Sequence, residues 1–459
     1  MTAIIILALL GFVILFLGAY HLRSWLVPVA LIGVTTAFVM NAADWDQQKE
    51  WFGMMFSDNF SVSFNGLLIF CTLLIFMLAS WHFRNEGSMV ADLYALILFA
   101  LTGAMLMTSF SNLVMLFIGI EILSIALYIL AGSRRLNLAS NEASLKYFLM
   151  GSFASGVLLF GIALLFGTVN SFDLAAISDY VNSGNKLPIV FHTGIMLVMI
   201  GFAFKIGAVP FHYWAPDVYQ GSPTLITTFM ATVVKVAGIA AFYRLFDTCF
   251  SGIDTSGWYQ VLWVICVITI LYGNITALLQ NEGKRLMAWS GVAHAGYLLI
   301  PLLALNELSA SAIFYYTTAY TISSITVFGV IIALGGTDNE VPIERFKGLA
   351  KNNPLMTFAL VVGMFSLAGI PPLAGFFGKY YLFANALSNG LILVTVLAVI
   401  GSLIGIYYYF KPVVQAFNTE VTPVPRINNG FAFNFVLMLG IFLTIVLGLF
   451  PDVLANLPG

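Results

Sequence analysis

Ionisable side chains set inside long apolar runs are the residues of this sequence most able to do chemistry, and the chemistry they share is proton transfer. Glu121 stands in Leu116-Phe117-Ile118-Gly119-Ile120-Glu121-Ile122-Leu123, Lys205 in Ala203-Phe204-Lys205-Ile206, and Lys235 in Val233-Val234-Lys235-Val236-Ala237. His294 follows in Val292-Ala293-His294-Ala295, and Lys379 in Phe377-Gly378-Lys379-Tyr380. An acid or lysine at the centre of a membrane span costs about 2.5 to 3.5 kcal/mol. Glu121, Lys205, Lys235 and Lys379 together would carry roughly 10 kcal/mol unless paired or hydrated. A cost of that size argues for function. Because burial and a neighbouring carboxylate act on a lysine in opposite senses, motion of Glu121 relative to Lys205 would switch that lysine between its two forms. That is a proton gate in physical terms, and His294 is the natural relay between lysines, because an unperturbed imidazole titrates near neutrality.

Each residue also has a plainer reading. Lys205 can be a structural partner of Glu121, since a buried ion pair is weak testimony for activity. Lys235 lies too deep to snorkel, which leaves structural pairing as its bland role, and a single buried histidine is more often a hydrogen-bonded core residue than a carrier. Lys146 sits near the start of its run, after Asn141-Glu142-Ala143, where a snorkelling interfacial lysine competes evenly with a functional one. Thr232, Ser290, Tyr297 and Thr326 are placed to hold intervening waters, as Ser, Thr and Tyr also do in ordinary helix packing.

The frame that must position these groups is a membrane bundle. The chain has 459 residues, 61% hydrophobic and 8% charged, with a net charge of −2, and its mean hydropathy is +0.99. Such a composition is too apolar for a soluble multidomain protein and lacks the basic patch a nucleic-acid partner requires. Cys71, Cys249 and Cys266 are scattered singly, so neither a zinc site nor an iron–sulfur cluster is indicated. No glycine-rich nucleotide fingerprint follows a strand. If redox chemistry is involved, its electrons travel elsewhere.

Apolar runs of about 20 residues mark fourteen spans, at 1–20, 25–42, 65–82, 91–109, 112–131, 144–168, 189–209, 224–246, 257–279, 286–304, 309–334, 354–388, 391–411 and 431–450. The first lacks a basic leader and a small-residue cleavage site, and is expected to be a retained helix. With both termini outside, Arg23, Arg84, Arg134, Arg135, Lys284, Arg285, Arg345, Lys347, Lys351, Lys411 and Arg426 fall in loops on the inner side. Only Lys49, Lys186 and Arg244 fall on the other, a clear positive-inside bias.

Two spans are interrupted, one near 205–212 by Gly207-Ala208-Val209-Pro210 and one at 369–375 by Gly369-Ile370-Pro371-Pro372-Leu373-Ala374-Gly375. Proline frees carbonyls that must face protein or water. The distance from Glu121 to Lys205 is 84 residues and from His294 to Lys379 is 85. Equivalent spans are five apart, so the second unit is inverted relative to the first, a design that places an ion pathway at the broken helices. The expected organisation is all-α: three N-terminal spans in 1–90, inverted five-helix repeats in 91–246 and 257–411, and a loop and last span in 412–459. The prolines follow Lys205 but precede Lys379, so the two halves do not superpose residue by residue.

The stretch Gly201-Phe202-Ala203-Phe204-Lys205-Ile206-Gly207-Ala208-Val209-Pro210-Phe211-His212-Tyr213-Trp214-Ala215-Pro216-Asp217-Val218-Tyr219 resembles the signature of the antiporter-like membrane subunits of respiratory complex I. Glu142-Ala143-Ser144-Leu145-Lys146-Tyr147-Phe148, Gly151-Ser152-Phe153-Ala154-Ser155-Gly156 and Tyr219-Gln220-Gly221-Ser222-Pro223 extend the likeness, which covers about the fourth to the thirteenth span. The resemblance implies a proton-translocating subunit, multi-pass in a bacterial inner membrane with both termini periplasmic. It implies that Glu121 and Lys205 form a modulating pair, that Lys235, His294 and Lys379 continue the path, and that Glu142 and Lys146 are a further acid–base pair. No cofactor is expected on this chain. NADH, FMN, iron–sulfur clusters and quinone are expected on other subunits, and other membrane subunits, a second antiporter-like one included, are expected as partners in the lipid bilayer. One branch of the family carries glutamate where Lys379 stands and another adds a long lateral helix. The lysine here, and an end at Gly459 soon after the last span, set the chain apart from both. An Mrp-type or standalone cation/proton antiporter and a non-pumping structural subunit remain as alternatives.

Overall fold

The computed structural model describes residues 1–82, 90–184, 186–251, 257–336, 340–418 and 424–455. Arg84 and Gly459 lie outside them. Helices α1 (Thr2–Ala19) and α2 (Arg23–Ala42) lead into a hairpin of β1 (Lys49–Trp51) and β2 (Met55–Ser57), in which Glu50 pairs with Phe56. Then come α3 (Asn59–His82), α4 (Val90–Ser109), α5 (Leu113–Ala131), α6 (Leu138–Val169), a short amphipathic α7 (Leu174–Asn182), and α8 (Ile189–Ile206). The chain continues through α9 (Trp214–Gly221), α10 (Thr224–Phe229), a π-helical turn at Met230–Val234, α11 (Lys235–Phe250), α12 (Trp258–Leu278) and α13 (Gly283–Ala304). It closes with α14 (Ser309–Gly335), α15 (Leu349–Asn352), α16 (Pro354–Ala368), α17 (Ala374–Ser388), α18 (Ile392–Ala416), α19 (Phe431–Leu449) and α20 (Asp452–Ala455).

Thirteen helices among the described residues are long and apolar enough to cross a membrane. The remaining expected span, the twelfth at 354–388, is the pair α16 and α17, split by its Gly-Ile-Pro-Pro break. The hairpin and α7 were not foreseen, because three-residue strands and a nine-residue helix leave little periodicity to read. The Met55–Phe110 and Asn112–Asp173 bridges join loops on one side of the bundle, and Glu282–Pro342 joins loops on the other, consistent with the alternating path of the chain.

Burial is graded across the bundle. The continuous segment α10–α11 and helix α13 are wholly buried in their apolar windows and α14 nearly so, whereas α1 and α2 are mostly exposed. The helices that carry Lys235 and His294 are thus the innermost. Close helix approach makes this possible. A Cβ at Gly103 on α4 would stand 2.7 Å from the Gly119 carbonyl oxygen on α5, and one at Gly273 on α12 would stand 2.6 Å from the Ala293 amide nitrogen on α13. Small residues at such crossings let backbones touch where lipid supplies no hydrophobic drive.

Both breaks are built alike. Helix α8 ends at Gly207, whose φ is +74°, with Ala208 N–H donating to the Ala203 carbonyl at 2.8 Å. Helix α16 ends at Gly369, whose φ is +85°, with Ile370 N–H donating to the Phe365 carbonyl at 3.0 Å. Left-handed backbone favours glycine and closes the helix with this cap. In each break a cis peptide bond precedes the proline three residues on, Pro210 or Pro372. The two interruptions therefore align on their glycines, which the lysine spacing did not show.

A Gly273→Leu substitution should lower the thermal midpoint of the detergent-solubilised protein by several degrees, an overpacking cost of about 1–3 kcal/mol. Gly167→Leu, with nothing within 4 Å of its would-be Cβ, should leave it unchanged; equal melting of the two variants would refute the close-packing account.

Candidate functional site

Lys205 closes the last turn of α8. Its Nζ donates to Ser124 Oγ on α5 at 2.6 Å, and Ser124 donates in turn to the Ile120 carbonyl at 2.5 Å. Glu121, one turn before Ser124 on α5, is half-buried, and its Oε1 has no protein hydrogen-bond partner. Among the described residues no ion pair joins Glu121 to Lys205. The expected pair is therefore an electrostatic neighbourhood with Ser124 in contact with the lysine, because the glutamate projects from α5 one turn away from the hydroxyl that meets Nζ.

Lys235 begins α11 directly after the π-helical turn, a local irregularity of the kind that recurs at functional positions. Its ammonium donates to the Gly291 carbonyl on α13 and lies 5.7 Å from the centre of the Tyr320 ring. A Cβ at position 291 would come within 2.9 Å of that Nζ, so glycine here makes room for the lysine. The two lysines are linked by packing, since Lys205 reaches α11 at Gly238, one turn beyond Lys235.

His294 uses both ring nitrogens. Nδ1 is 2.6 Å from Tyr316 Oη and Nε2 is 2.9 Å from Tyr409 Oη, and Tyr409 also bonds Ser290. One nitrogen of a neutral imidazole donates and the other accepts, while the phenols rotate to suit either tautomer. The arrangement can pass a proton across the ring and reset. Lys379, on α17, reaches back to the end of α16: its Nζ donates to the Ala368 carbonyl at 2.8 Å and to Ser402 Oγ on α18 at 2.7 Å. It lies 5.3 Å from the Tyr297 ring centre. Between His294 and Lys379, bordered by Tyr316, Ser323 and Ser366, is a void of about 10 Å³. That is close to the least room a single water requires.

The structure brings together Lys205, Lys235, His294 and Lys379, with Glu121 at the Lys205 end. It sets Glu142 and Lys146 apart. Lys146 pairs with Glu142 at 2.7 Å and Asp217 at 2.8 Å, and Asp217 pairs with Arg285 at 2.8 Å. Glu142, Lys146 and Asp217 rim a cavity of about 620 Å³ on the basic-loop face, also lined by Gln220, Glu340 and Arg345. Helix α6 starts at Leu138, so Lys146 stands on its third turn with water in reach.

Two basic residues were misplaced by sequence. Lys284, expected in a loop, is wholly buried in the first turn of α13, with Nζ on the Gln220 and Ser222 carbonyls at 2.5 and 3.1 Å. Arg244, also expected in a loop, is buried near the end of α11 against Asp58 at 2.6 Å. Of the expected water-holding hydroxyls, Ser290 joins the His294 network and Tyr297 accepts from Asn274 at 3.2 Å. Thr232 and Thr326 instead donate to carbonyls of their own helices. Ser124, Tyr316, Tyr409 and Ser402 were missed. Ser124 could have been found by its one-turn spacing from Glu121; Tyr409 and Ser402 lie in an apolar run with no marker of their partners.

A membrane bundle with two helices broken at a capped glycine and a buried file of lysines and histidine between them is an antiporter-like, proton-translocating membrane subunit. The chain belongs to the family described as NADH:quinone oxidoreductase/Mrp antiporter, TM, whose model matches residues 110–405, and within it to the line of NADH-quinone oxidoreductase subunit N. It is 40% identical to that subunit from Cytophaga hutchinsonii, over 100% of this chain and 99% of the relative. A chain of respiratory complex I from Thermus thermophilus with bound aureothin matches with a TM-score of 0.86 and 31% identity over 99% of this chain and 98% of that one. A chain of the Mrp complex from Dietzia sp. shares the fold, with a TM-score of 0.87 at 21% identity over 99% of this chain and 95% of that one.

Partial burial works to raise the Asp217 carboxyl, but the hydrogen bonds and charges of Lys146 and Arg285 outweigh it and hold the group below its ordinary value. A depressed carboxylate contributes stability above the unfolded value of about 3.9, and that contribution is lost as pH falls through the folded value. On acidification from about pH 6 to about pH 3 the wild type should lose more of its Tm than Asp217→Asn; parallel curves would show that the cluster contributes nothing.

Proposed function

We propose that this chain carries protons within a membrane-embedded NADH-quinone oxidoreductase while NADH and quinone react on other subunits, and that Lys205, Lys235, His294 and Lys379 are its path, with Glu121 as the modulating acid. The observation that carries the reading is the hydrogen-bonded run Ser290–Tyr409–His294–Tyr316 set between the ammonium groups of Lys235 and Lys379. Every member of that run both donates and accepts, which is what stepwise proton relay requires.

The assignment of 91–246 and 257–411 as inverted repeats is supported by parallel packing: α4 lies on α5 as α12 lies on α13, and α6 on α8 as α14 on α16. The excess of basic residues in the loops on the cavity face supports a cytoplasmic cavity face and periplasmic termini in a bacterial inner membrane. The half-exposed face that carries Glu121 suits a neighbouring membrane subunit, whose movement would change the field at Lys205 through a low-dielectric path. In the assembled complex, Glu142 and Lys146 belong to the water-facing end, one step removed from the buried file.

In inverted vesicles carrying the assembled complex, Lys235→Met and Lys205→Met should lower NADH-driven proton pumping and coupled turnover by about a hundredfold or more, the scale of losing one positioned acid–base group. Wild-type pumping by both assembled variants would overturn the reading, and so would isolation of the chain with only small membrane partners and no NADH-oxidising complex.

A further inference from the structure

Among the described residues, one buried lysine takes no part in the path just proposed. Lys284 is fully enclosed beneath the end of α9: its Nζ rests on the carbonyls of Gln220 and Ser222, and Gln220 and Gly221 line the 620 Å³ cavity. The next residue, Arg285, donates to Asp217 at 2.8 Å and to Gln220 Oε1 at 2.9 Å, so the cavity rim and the buried ammonium are held by the same turn of α13. Glu282, Glu340 and Arg134 act on Lys284 electrostatically from the loops around it.

On the inner side, α13 itself points the way. Gly291, whose carbonyl receives Lys235, lies seven residues beyond Lys284, which is two turns on the same face and about 10 Å along the axis. Polar groups border the interval. Ser222 Oγ is buried without a protein partner, Tyr219 is buried within electrostatic range of Tyr320, and Tyr320 stands over Lys235. A lysine used only to pin loop 220–222 would need no such polar continuation.

We infer that Lys284 is the proton inlet of this subunit, taking protons from the cavity rimmed by Glu142, Lys146 and Asp217 and handing them towards Lys235. The inference rests on the proton-path reading above. In each transfer the Lys284 ammonium gives one proton inward and regains one from cavity water, so its charge is restored and no net charge is left behind. Two backbone carbonyls hold it without an acid in direct contact, which keeps the proton exchangeable where an ion pair would trap it.

Arginine separates inlet from pin, since its guanidinium can satisfy both carbonyls and keep the charge but does not release a proton. In inverted vesicles bearing the assembled complex, Lys284→Arg and Lys284→Met should both lower NADH-driven proton pumping by about a hundredfold. Wild-type pumping by Lys284→Arg would make Lys284 a structural pin and overturn the inference. Lys235→Met, measured beside them, tells the failures apart: pumping lost there but kept in both Lys284 variants overturns the inlet alone, while pumping kept in all three overturns the path itself. Should neither Lys284 variant assemble, Gln220→Cys tests the cavity, because the native Cys71, Cys249 and Cys266 are buried. A small cationic methanethiosulfonate applied from the cytoplasmic face should label it and block proton uptake. Absent labelling, or labelling without block, would overturn the inference.

Discussion

A cation in the middle of an apolar bundle needs oxygen ligands, and much of this structure follows from supplying them, most often where a helix stops. Lys379 is held by Ala368, the last residue of α16; Lys411 by Leu278, the last of α12; Lys284 by Gln220 near the end of α9. Helix C-termini present unsatisfied carbonyls and the negative end of the helix dipole, so each stopped helix becomes a cation seat. The glycine caps at Gly207 and Gly369 stop α8 and α16 inside the bundle, and the interruptions are tolerable because they face protein.

The seats differ in what they allow. A carbonyl or hydroxyl can hold lysine in its charged form and can also remain near the neutral amine, whereas a carboxylate in contact favours only the charged form. Lys205 on Ser124, Lys235 on Gly291 and Lys379 on Ala368 and Ser402 are all of the first kind. Lys146 and Arg244, by contrast, sit against carboxylates near the bundle's two surfaces. The molecule thus separates lysines held by neutral oxygens at its centre from cations held by carboxylates near its surfaces, and the carboxylate pairs also staple loops to helices. Asp217 joins α6 to α13 through Lys146 and Arg285, and Asp58 ties the loop before α3 to α11.

Helix contact distances set how close these seats come to each other. Where Gly103 meets Gly119 and Gly273 meets Ala293, backbones approach as no larger residue would permit, drawing α13 into the centre, where His294 can meet α14 and α18 together. The relay is consequently a property of three helices, and a change at any one of their crossings alters the hydrogen bonds of the imidazole.

The sequence by itself determined the membrane class, the spans, the two interruptions and the identity of the central charges, because hydropathy and the cost of burying a charge are properties of a short stretch of chain. It also made Glu121, Lys205, Lys235, His294 and Lys379 legible as a group, since each stands alone in an apolar run. Only the tertiary structure decided what each ammonium touches, because Ser124, Gly291, Ser402 and Tyr409 lie on other helices, at sequence distances no local pattern encodes. The same limit explains the misplacement of Lys284. Lys284 and Lys146 both stand near span ends on the basic-loop side, and from sequence either could be wet or buried. Loop 220–222 folds over one and leaves the other at the rim of a cavity, a distinction made entirely by how the broken helix after Lys205 returns to the surface.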